Sequence, residues 1–348
     1  MSAAPQSDMG ALPAARWAGL ALVGLLAAVS LLLAAHPALQ SLGLGALTLA
    51  IVLGILVGNT VFPAIAVRTH AGVEFAKSSL LRAGIVLYGF RVTFQEFASV
   101  GWAGAAIAVA VVVGVFLLAT QLGTRVFKLD LQTSMLIGAG SAICGAAAVM
   151  ATAPVLRAPP HKVTVAMATV VVFGTLGMFA YPLLYPYLGL SEHDYGVFAG
   201  STIHEVAQVV VAGRSVSEAA GAAAVIEKMI RVMLLAPFLL ILSGFAAGAS
   251  TDPHESWLAR LKLPWFALMF VAVSGFNSLQ LLPPLWVEWL LWLDTLLLAM
   301  AMAALGLCTQ ARALREAGLK PMLLGASLFA ALFGGGYVLN RGIVALLG

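Results

Sequence analysis

Long apolar runs recur along the whole chain and are separated by short polar linkers. They lie at about 17–35, 42–60, 77–93, 98–118, 131–156, 163–188, 193–212, 222–247, 264–282, 290–308 and 321–346. A run of about 18 or more apolar residues can span the hydrocarbon core of a bilayer as a helix. The runs do not show the ten-residue alternation of barrel strands. The pattern therefore predicts an all-α polytopic membrane protein with about eleven membrane segments.

The linkers are too short to hold an extramembrane domain. We expect a short disordered tail over residues 1–16 and a single transmembrane transporter domain over residues 17–348.

The composition supports a membrane protein and excludes a soluble one. Hydrophobic residues make up 62% of the chain and charged residues only 9%, whereas soluble domains are about 25% charged. The net charge of +4 reflects basic linkers on one side of the membrane, and we expect no nucleic-acid partner. Cys144 and Cys308 lie in or at the end of apolar segments, which does not indicate a disulfide framework.

Two segments place glycine and serine at membrane depth. Residues 139–149 and 199–209 both read Ala-Gly-Ser-x-Ile-x-x-x-Ala-x-Val. Glycine in a helix interior costs about 1 kcal/mol relative to alanine. Non-helical backbone at this depth is tolerated only where it is buried in protein or lines a cavity. The pattern predicts two broken or re-entrant segments facing a site, and close helix packing by small residues is the alternative.

The charges of the linkers favour re-entrant segments. Basic residues mark the cytoplasmic side of a membrane protein, and the linkers cannot all take their preferred sides if all eleven segments span. The linkers take the sides that their charges predict if one Ala-Gly-Ser segment enters the membrane from the inside and the other from the outside. Residues 80–101 also resemble residues 297–318 weakly, in opposite predicted orientation, as in transporters with inverted repeats.

A broken helix offers backbone N–H groups that favour anions, and hydroxyl and amide side chains add neutral donors. We therefore predict that a substrate is bound at the two segments, with an additional amide in a later one. The candidate substrate-binding residues are Gly140, Ser141, Gly200, Ser201, Thr202, Gln208 and Asn277.

Ionisable residues inside a membrane segment commonly mark a pathway or proton relay. His204 and Glu205 are the candidate coupling residues, because imidazole can change charge near neutral pH and a carboxylate can accept a proton or bind a cation. Arg91, Lys228 and Arg231 are candidate pathway charges. Glu227 and Arg231 also have the i, i+4 spacing of an ion pair, so a structural role for that cluster stays open.

The chain contains no phosphate-binding loop, no metal-ligand spacing and no nucleophile elbow. We expect no enzymatic activity, no cofactor and no metal.

These segments resemble a bacterial membrane-protein family named for sulfate export. The resemblance covers about residues 40–347. It rests on LRAGIVLYGFRVTF (81–94), LIGAGSAICGAAAVMATAPV (136–155), VFGTLGMF (172–179), YGVFAGSTIHEVAQVV (195–210), KMIRVMLLAP (228–237), PWFALMFVAVSGFNS (264–278) and LAMAMAALGL (298–307). The family is similar to the superfamily of cation:proton antiporters and anion transporters. This resemblance implies inverted repeats, broken helices crossing at mid-membrane, a multi-pass protein of the bacterial inner membrane, and a homodimer.

The expected function is secondary transport that exports a small anion, sulfate or a related sulfur-containing anion, coupled to H⁺ or Na⁺. A cation:proton antiporter is the first alternative, although neither segment carries the pair of aspartates that a cation site favours. A non-transporting sensor or accessory subunit is the second.

Overall fold

A computed structural model of the protein describes residues 11–36, 45–246, 265–309 and 318–347. These residues form helices and contain no β-strand. In chain order the α-helices are α1 Ala11–Ala34, α2 Ala46–Gly58, α3 Phe62–Phe75, α4 Leu81–Tyr88, α5 Phe94–Gln121, α6 Leu131–Ala142, α7 Ala146–Val155, α8 Pro160–Leu188, α9 Glu192–Thr202, α10 Val206–Arg214, α11 Glu218–Met233, α12 Leu235–Ala246, α13 Trp265–Ser278, α14 Pro284–Cys308, α15 Leu319–Ala330 and α16 Gly336–Leu347.

Short turns of π- or 3-10 helix connect some of these helices without a loop. They are the π turns Ala76–Leu80, Leu122–Val126 and Ala331–Gly335 and the 3-10 turn Gly89–Arg91.

Five helices in the described part of the chain are long and apolar enough to cross a membrane. They are Arg16–Ala34, Ala98–Val126, Pro160–Leu188, Pro284–Cys308 and Leu319–Leu346. The all-helical membrane fold is therefore confirmed, while the number of eleven segments and the inverted repeats stay predictions. Helix α1 begins at Ala11, so the expected disordered tail over residues 1–16 is wrong for its last six residues. Residues 1–10 lie outside the described residues.

The chain divides into two compact units, one of residues 1–88 and 282–310 and the other of residues 89–281 and 311–348. The first unit contains α1–α4 and α14. Its helices α2 and α14 approach closely at glycines: a Cβ placed on Gly54 would lie 3.0 Å from the Cα of Gly306. Small residues let helices in a membrane pack backbone to backbone in this way. The single transporter domain expected over 17–348 stays a prediction.

In the second unit α8 is the longest of the described helices. This helix has 29 residues and is about 43 Å long at 1.5 Å per residue, enough to cross the bilayer. Pro160 stands in its first turn, where proline has no N–H bond to lose. Gly189, at φ 60°, ends the helix in a left-handed conformation.

Helices α6 and α7 form the first hairpin. The side-chain amide of Gln132, near the start of α6, donates to the carbonyl of Leu156, just past the end of α7, over 2.9 Å. The two helices therefore run antiparallel, with both outer ends at the start of α8. Asp130 caps α6 by accepting a hydrogen bond from the Thr133 N–H, and Lys162 of α8 donates to Asp130 over 2.6 Å.

Helices α9 and α10 form the second hairpin in the same way. The hydroxyl of Tyr195, near the start of α9, donates to the carbonyl of Ala212, near the end of α10, over 3.2 Å. Ser191 caps α9, accepting a bond from the Asp194 N–H. This hairpin begins where α8 ends, so the two hairpins enter the unit from opposite ends of α8. Both Ala-Gly-Ser segments therefore belong to broken helices that turn back. Whether they are re-entrant in the membrane stays a prediction.

Candidate functional site

The tips of the two hairpins meet inside the second unit. The first tip is residues 143–145 and the second is residues 203–205. A carboxylate oxygen of Glu205 accepts a hydrogen bond from the backbone N–H of Ala146, the first residue of α7, over 3.2 Å. A carboxylate at a helix N-terminus is stabilised by the partial positive charge there. The second hairpin thus caps a half-helix of the first.

Gly145 makes this contact possible. Its φ of 71° and ψ of −135° lie in a region that side chains disfavour. A Cβ at this position would also lie 3.0 Å from the Oε1 atom of Glu205. Glu205 is held in turn by Gln208, whose side-chain oxygen accepts from the Glu205 N–H over 3.1 Å.

Arg231 of α11 joins the ends of the two entering half-helices. Its side chain is fully buried, and all five of its N–H donors are used on backbone carbonyls. These bonds run from Nε to Ala142 (3.1 Å), from Nη1 to Gly200 (3.1 Å) and Ile203 (3.2 Å), and from Nη2 to Ser141 (3.0 Å) and Ala142. Arg231 is therefore a clamp with no donor left for a ligand.

Lys228 bridges the same two tips one turn earlier on α11. Its fully buried ammonium donates to the carbonyl of Ile143 over 2.8 Å and to that of Ile203 over 2.7 Å. An ammonium has three donors, so these two bonds leave one N–H for a further partner.

The cations explain how two helix ends can be buried face to face. Helices α6 and α9 both end at the tips, where their last carbonyls carry partial negative charge and lack helical partners. Lys228 and Arg231 supply the donors and the positive charge. Helices α7 and α10 begin at the same place with partial positive charge. The centre of the unit therefore holds two cations, the Glu205 carboxylate and four helix ends.

Glu227, next to Lys228 on α11, takes no part in this network of hydrogen bonds. Its side chain is fully buried, and neither carboxylate oxygen has a hydrogen-bond partner among the described residues. Its Cβ lies against Gly200, and Oε2 lies against Gly104 of α5. The expected i, i+4 pairing with Arg231 is therefore not a hydrogen-bonded ion pair.

The predicted glycine and serine positions lie beside the breaks and not in them. The helices continue through Gly140–Ser141 and Gly200–Ser201 and break two residues after each serine. Their N–H groups consequently lie within helical turns, and it is the carbonyls of Ser141 and Gly200 that point to the centre, toward Arg231. The expectation that these two pairs present free N–H groups at a half-helix N-terminus is wrong for this reason.

Gly140 and Gly200 serve close packing. A Cβ on Gly140 would lie 2.7 Å from the side chains of Val149 and Val170, and one on Gly200 would lie 2.9 Å from the Cβ of Glu227. Both glycines thus permit close packing, as the packing alternative expects, and substrate binding by them stays a prediction.

The hydroxyls of the two motifs differ. The Ser201 hydroxyl donates to the Phe198 carbonyl over 3.0 Å and accepts from the amide of Asn340 on α16 over 3.0 Å. The Thr202 hydroxyl also donates to the Phe198 carbonyl. The hydroxyl of Ser141, by contrast, is buried and has no hydrogen-bond partner in the described residues.

His204 lies at the second tip with Glu205, and Gln208 lies in the first turn of α10; both are buried. The structure therefore brings together the two candidate coupling residues, Gln208 and the cations Lys228 and Arg231. Whether any of them binds a substrate or a coupling ion stays a prediction.

Arg91 and Asn277 lie elsewhere in the same unit. Arg91 is 3.6 Å from the carboxylate of Glu218 at the start of α11, ten residues and about 15 Å along the helix from Lys228. Asn277 donates to the carbonyl of Phe90 over 3.0 Å and so holds the 3-10 turn that contains Arg91. The structure gives Asn277 a local backbone contact and does not bring it to the hairpin tips.

Sequence reasoning missed the groups that close the centre. Gly145 stood inside the quoted motif, and a glycine directly before a run of alanines was a signal that could have placed the break. The carbonyls of Ile143 and Ile203 had no signal, because any residue type supplies a carbonyl. Gly104 was one of many small residues in α5.

Two helical hairpins that meet tip to tip, in a chain with several apolar helices long enough to cross a membrane, define a polytopic membrane protein with a buried polar centre. The chain belongs to the family described as conserved hypothetical protein 698, whose model matches residues 18–325.

Relatives with similar sequences cover nearly the whole chain. A UPF0324 membrane protein of Yersinia pestis is 53% identical over 330 residues, 92% of this chain and 91% of the relative. The UPF0324 inner membrane protein YeiH of Salmonella typhi is 53% identical over 333 residues, 94% and 95% of the two chains. YeiH of Escherichia coli K12 is 51% identical over 331 residues, 94% and 95%. No solved structure matches the chain. The protein is a multi-pass inner-membrane protein.

Proposed function

We propose that the protein is a secondary transporter that exports a small anion, sulfate or a related sulfur-containing anion, across the inner membrane with coupling to an ion gradient. The observation that carries this proposal is the meeting of two hairpin tips around buried Lys228 and Arg231. Secondary transporters bind substrate at broken helices near the middle of the membrane, and buried charge at that depth commonly marks a transport pathway.

The charges favour an anion over a cation. A cation site at a broken helix uses unpaired carbonyl oxygens. Here the carbonyls of both entering half-helices already accept hydrogen bonds from Lys228 and Arg231. A metal cation would have to displace two bonded positive side chains. This occupancy counts against the antiporter alternative.

An anion has partners at the same place. Lys228 keeps one N–H donor, Ser141 has an unpartnered buried hydroxyl, and helices α7 and α10 begin at the tips. We propose that the anion binds beside Lys228 at these groups. Glu205 occupies the N-terminus of α7 in this structure and would move aside when the anion arrives.

The first experiment is uptake of radiolabelled sulfate into proteoliposomes that contain the purified full chain, with and without a pH gradient. Lys228→Gln is expected to lower the flux roughly tenfold or more, because a hydrogen bond to a charged group contributes about 1.5–3 kcal/mol. The control is Glu218→Gln on the same helix, where the carboxylate is 63% exposed; it should keep the wild-type flux.

Size-exclusion profiles and thermal midpoints of each variant would check that it is folded. The wild type could also move no sulfate or related sulfur-containing anion and instead move Na⁺ in a pH-dependent way. That result would support the cation:proton antiporter and contradict the anion transporter.

The paired serines sharpen this test. Ser141→Ala removes an unpartnered hydroxyl and keeps the carbonyl that Arg231 binds, so we expect a lower flux with little change in thermal stability. Ser201→Ala removes the bond to Asn340, so we expect a lower thermal midpoint and a smaller effect on flux. If Ser201→Ala instead lowers the flux and Ser141→Ala lowers the thermal midpoint, the proposed anion site would lie beside Ser201 and not beside Ser141.

A further inference from the structure

Glu227 is the buried ionisable group that the hydrogen-bond network of the centre does not use. Its two carboxylate oxygens are without hydrogen-bond partners in the described part of the chain, although its neighbour Lys228 and Arg231 one turn later are both cations. An uncompensated carboxylate in a dry interior is costly, and such a group commonly neutralises instead. The question is what this carboxyl does.

We propose that Glu227 is a proton-binding site, which takes up a proton when an anion enters beside Lys228 and releases it when the anion leaves. The inference rests on the anion transport proposed above. It adds to that proposal the residue that carries the coupled proton, where sequence reasoning offered His204 and Glu205.

The geometry permits a change of protonation at little structural cost. Lys228 and Arg231 donate to backbone carbonyls at and beside the hairpin tips, and neither oxygen of Glu227 accepts a hydrogen bond within the described residues. A carboxylate locked in a bidentate ion pair would lose those bonds on protonation. Glu227 instead interacts with the two cations by electrostatic attraction without a hydrogen bond. Its protonation can therefore respond to a change in nearby charge without breaking a hydrogen bond.

The charge balance gives the direction of the response. In this structure Glu227 and Glu205 can offset Lys228 and Arg231. An anion bound beside Lys228 adds negative charge in a low-dielectric site, where like charges repel strongly. Uptake of one proton by Glu227 removes one of the added negative charges, and the neutral acid no longer repels the anion. The proton therefore accompanies the anion on the carrier.

Among the described residues, the other elements known to approach Glu227 do so through glycines. Helix α5 faces it through Gly104, and the one titratable side chain of α5, Glu96, is eight residues earlier. The second hairpin faces it through Gly200, and α12 and α13 carry no titratable residue.

The remaining titratable groups of the centre interact with the cations. His204, Glu205 and Cys144 interact with Lys228, and Tyr181 of α8 interacts with Arg231. Among these groups Glu205 is the competing carboxyl, and the test therefore includes it.

The first measurement uses the purified full chain without any anion. Infrared difference spectra between acidic and neutral pH separate a protonated carboxylic acid from a carboxylate. We expect a buried carboxylic-acid band that titrates in the wild type, in Glu205→Gln and in the exposed control Glu218→Gln, and that is absent in Glu227→Gln. Glu227→Asp keeps a carboxyl and should keep a band at a shifted position, which serves if the glutamine variant does not fold. The same band in Glu227→Gln would overturn the proposal.

The second measurement adds sulfate. The wild type should take up close to one proton per sulfate bound, reported by a pH dye in weak buffer. Its proteoliposome flux should rise as pH falls, by up to about tenfold per pH unit for one linked proton. Glu227→Gln should bind sulfate without proton uptake and show a flux that is nearly flat with pH.

The two arms separate the two proposals. Loss of the pH dependence in Glu205→Gln with its retention in Glu227→Gln would overturn the inference and leave the anion transporter standing. A wild type that neither binds nor moves sulfate or related sulfur-containing anions would remove the proposed function, while the infrared titration still decides whether Glu227 binds a proton.

Discussion

The two hairpin tips share one sequence pattern and supply opposite groups. Gly145 and Glu205 occupy the same position of the repeated Ala-Gly-Ser motif. At the first tip the side chain is missing and the backbone N–H of the following residue is the donor, whereas at the second tip the side chain is the acceptor that reaches it. The motif therefore encodes a complementary pair: each tip has what the other lacks.

The same contrast holds for the two serines. Ser201 is tied to α16 through Asn340, while Ser141 has an unpartnered hydroxyl. The second hairpin is thus anchored by side chains to its surroundings, and the first hairpin keeps a polar group available at the centre. A repeated motif predicts a repeated backbone shape and does not by itself predict repeated chemistry.

The largest expected effect comes from removing Arg231, whose side chain donates hydrogen bonds to the carbonyls of both hairpins. Arg231→Met should leave the carbonyls of Ser141, Ala142 and Gly200 without their charged donor. Breaking a buried charge contact commonly costs about 3–5 kcal/mol, so we expect a large fall in the thermal midpoint of the detergent-solubilised protein, or no folded protein. Arg231→Lys, with three donors in place of five, should fall between this variant and the wild type. If Arg231→Met has the same thermal midpoint as the wild type, Arg231 does not hold the two hairpins together.

A smaller effect is expected where the tips differ. Gly145→Ala introduces a Cβ at φ 71° and against Glu205. Backbone strain of this kind costs about 1–3 kcal/mol, and the displaced carboxylate adds to it. The double variant Gly145→Ala with Glu205→Ala removes the clash and keeps the strain, so its loss of stability should be less than the sum of the two single losses. Additive losses in thermal or denaturant unfolding would show that the tips do not touch.

The limits of the sequence are clearest in this centre. Composition and the length of the apolar runs were enough for an all-helical membrane protein, because each run must satisfy its own backbone in lipid. The Gly-Ser pairs lie within a few residues of both breaks. The position of each break was missed by a few residues, since glycine signals permissive backbone near a break and not its location.

The clamp could not be predicted from residue spacing. Glu227 and Arg231 have ion-pair spacing on one helix. Arg231 nevertheless donates its hydrogen bonds to backbone carbonyls of segments about 30 and 90 residues away in sequence. Acceptors on the backbone leave no residue signature, so only the fold brings them together. The same reasoning explains Asn277, which has an amide suited to a ligand and uses it on a local turn.

The smallest expected effect lies at the outer end of the first hairpin, where Asp130 accepts from Lys162 and Thr133. Partial burial raises the pKa of Asp130, but the hydrogen bonds and charge of these partners outweigh burial and leave the pKa below its usual value of 3.8. The lowered value means that the pair stabilises the folded state fully above about pH 4 and less as pH falls through the folded pKa. The carboxylate is 46% exposed, so solvent screening limits the contribution to a few tenths of a kcal/mol.

Asp130→Asn should therefore lower the thermal midpoint slightly at neutral pH and less at acid pH, because the contribution is lost as the pH falls through the lowered pKa of the folded state. The second hairpin offers the comparison: its outer end is closed by the neutral bond from Tyr195 to Ala212, and Tyr195→Phe should cost about 1 kcal/mol equally at both pH values. An acid-sensitive loss in Tyr195→Phe, or an acid-insensitive one in Asp130→Asn, would show that the outer ends do not differ in the way the tips do.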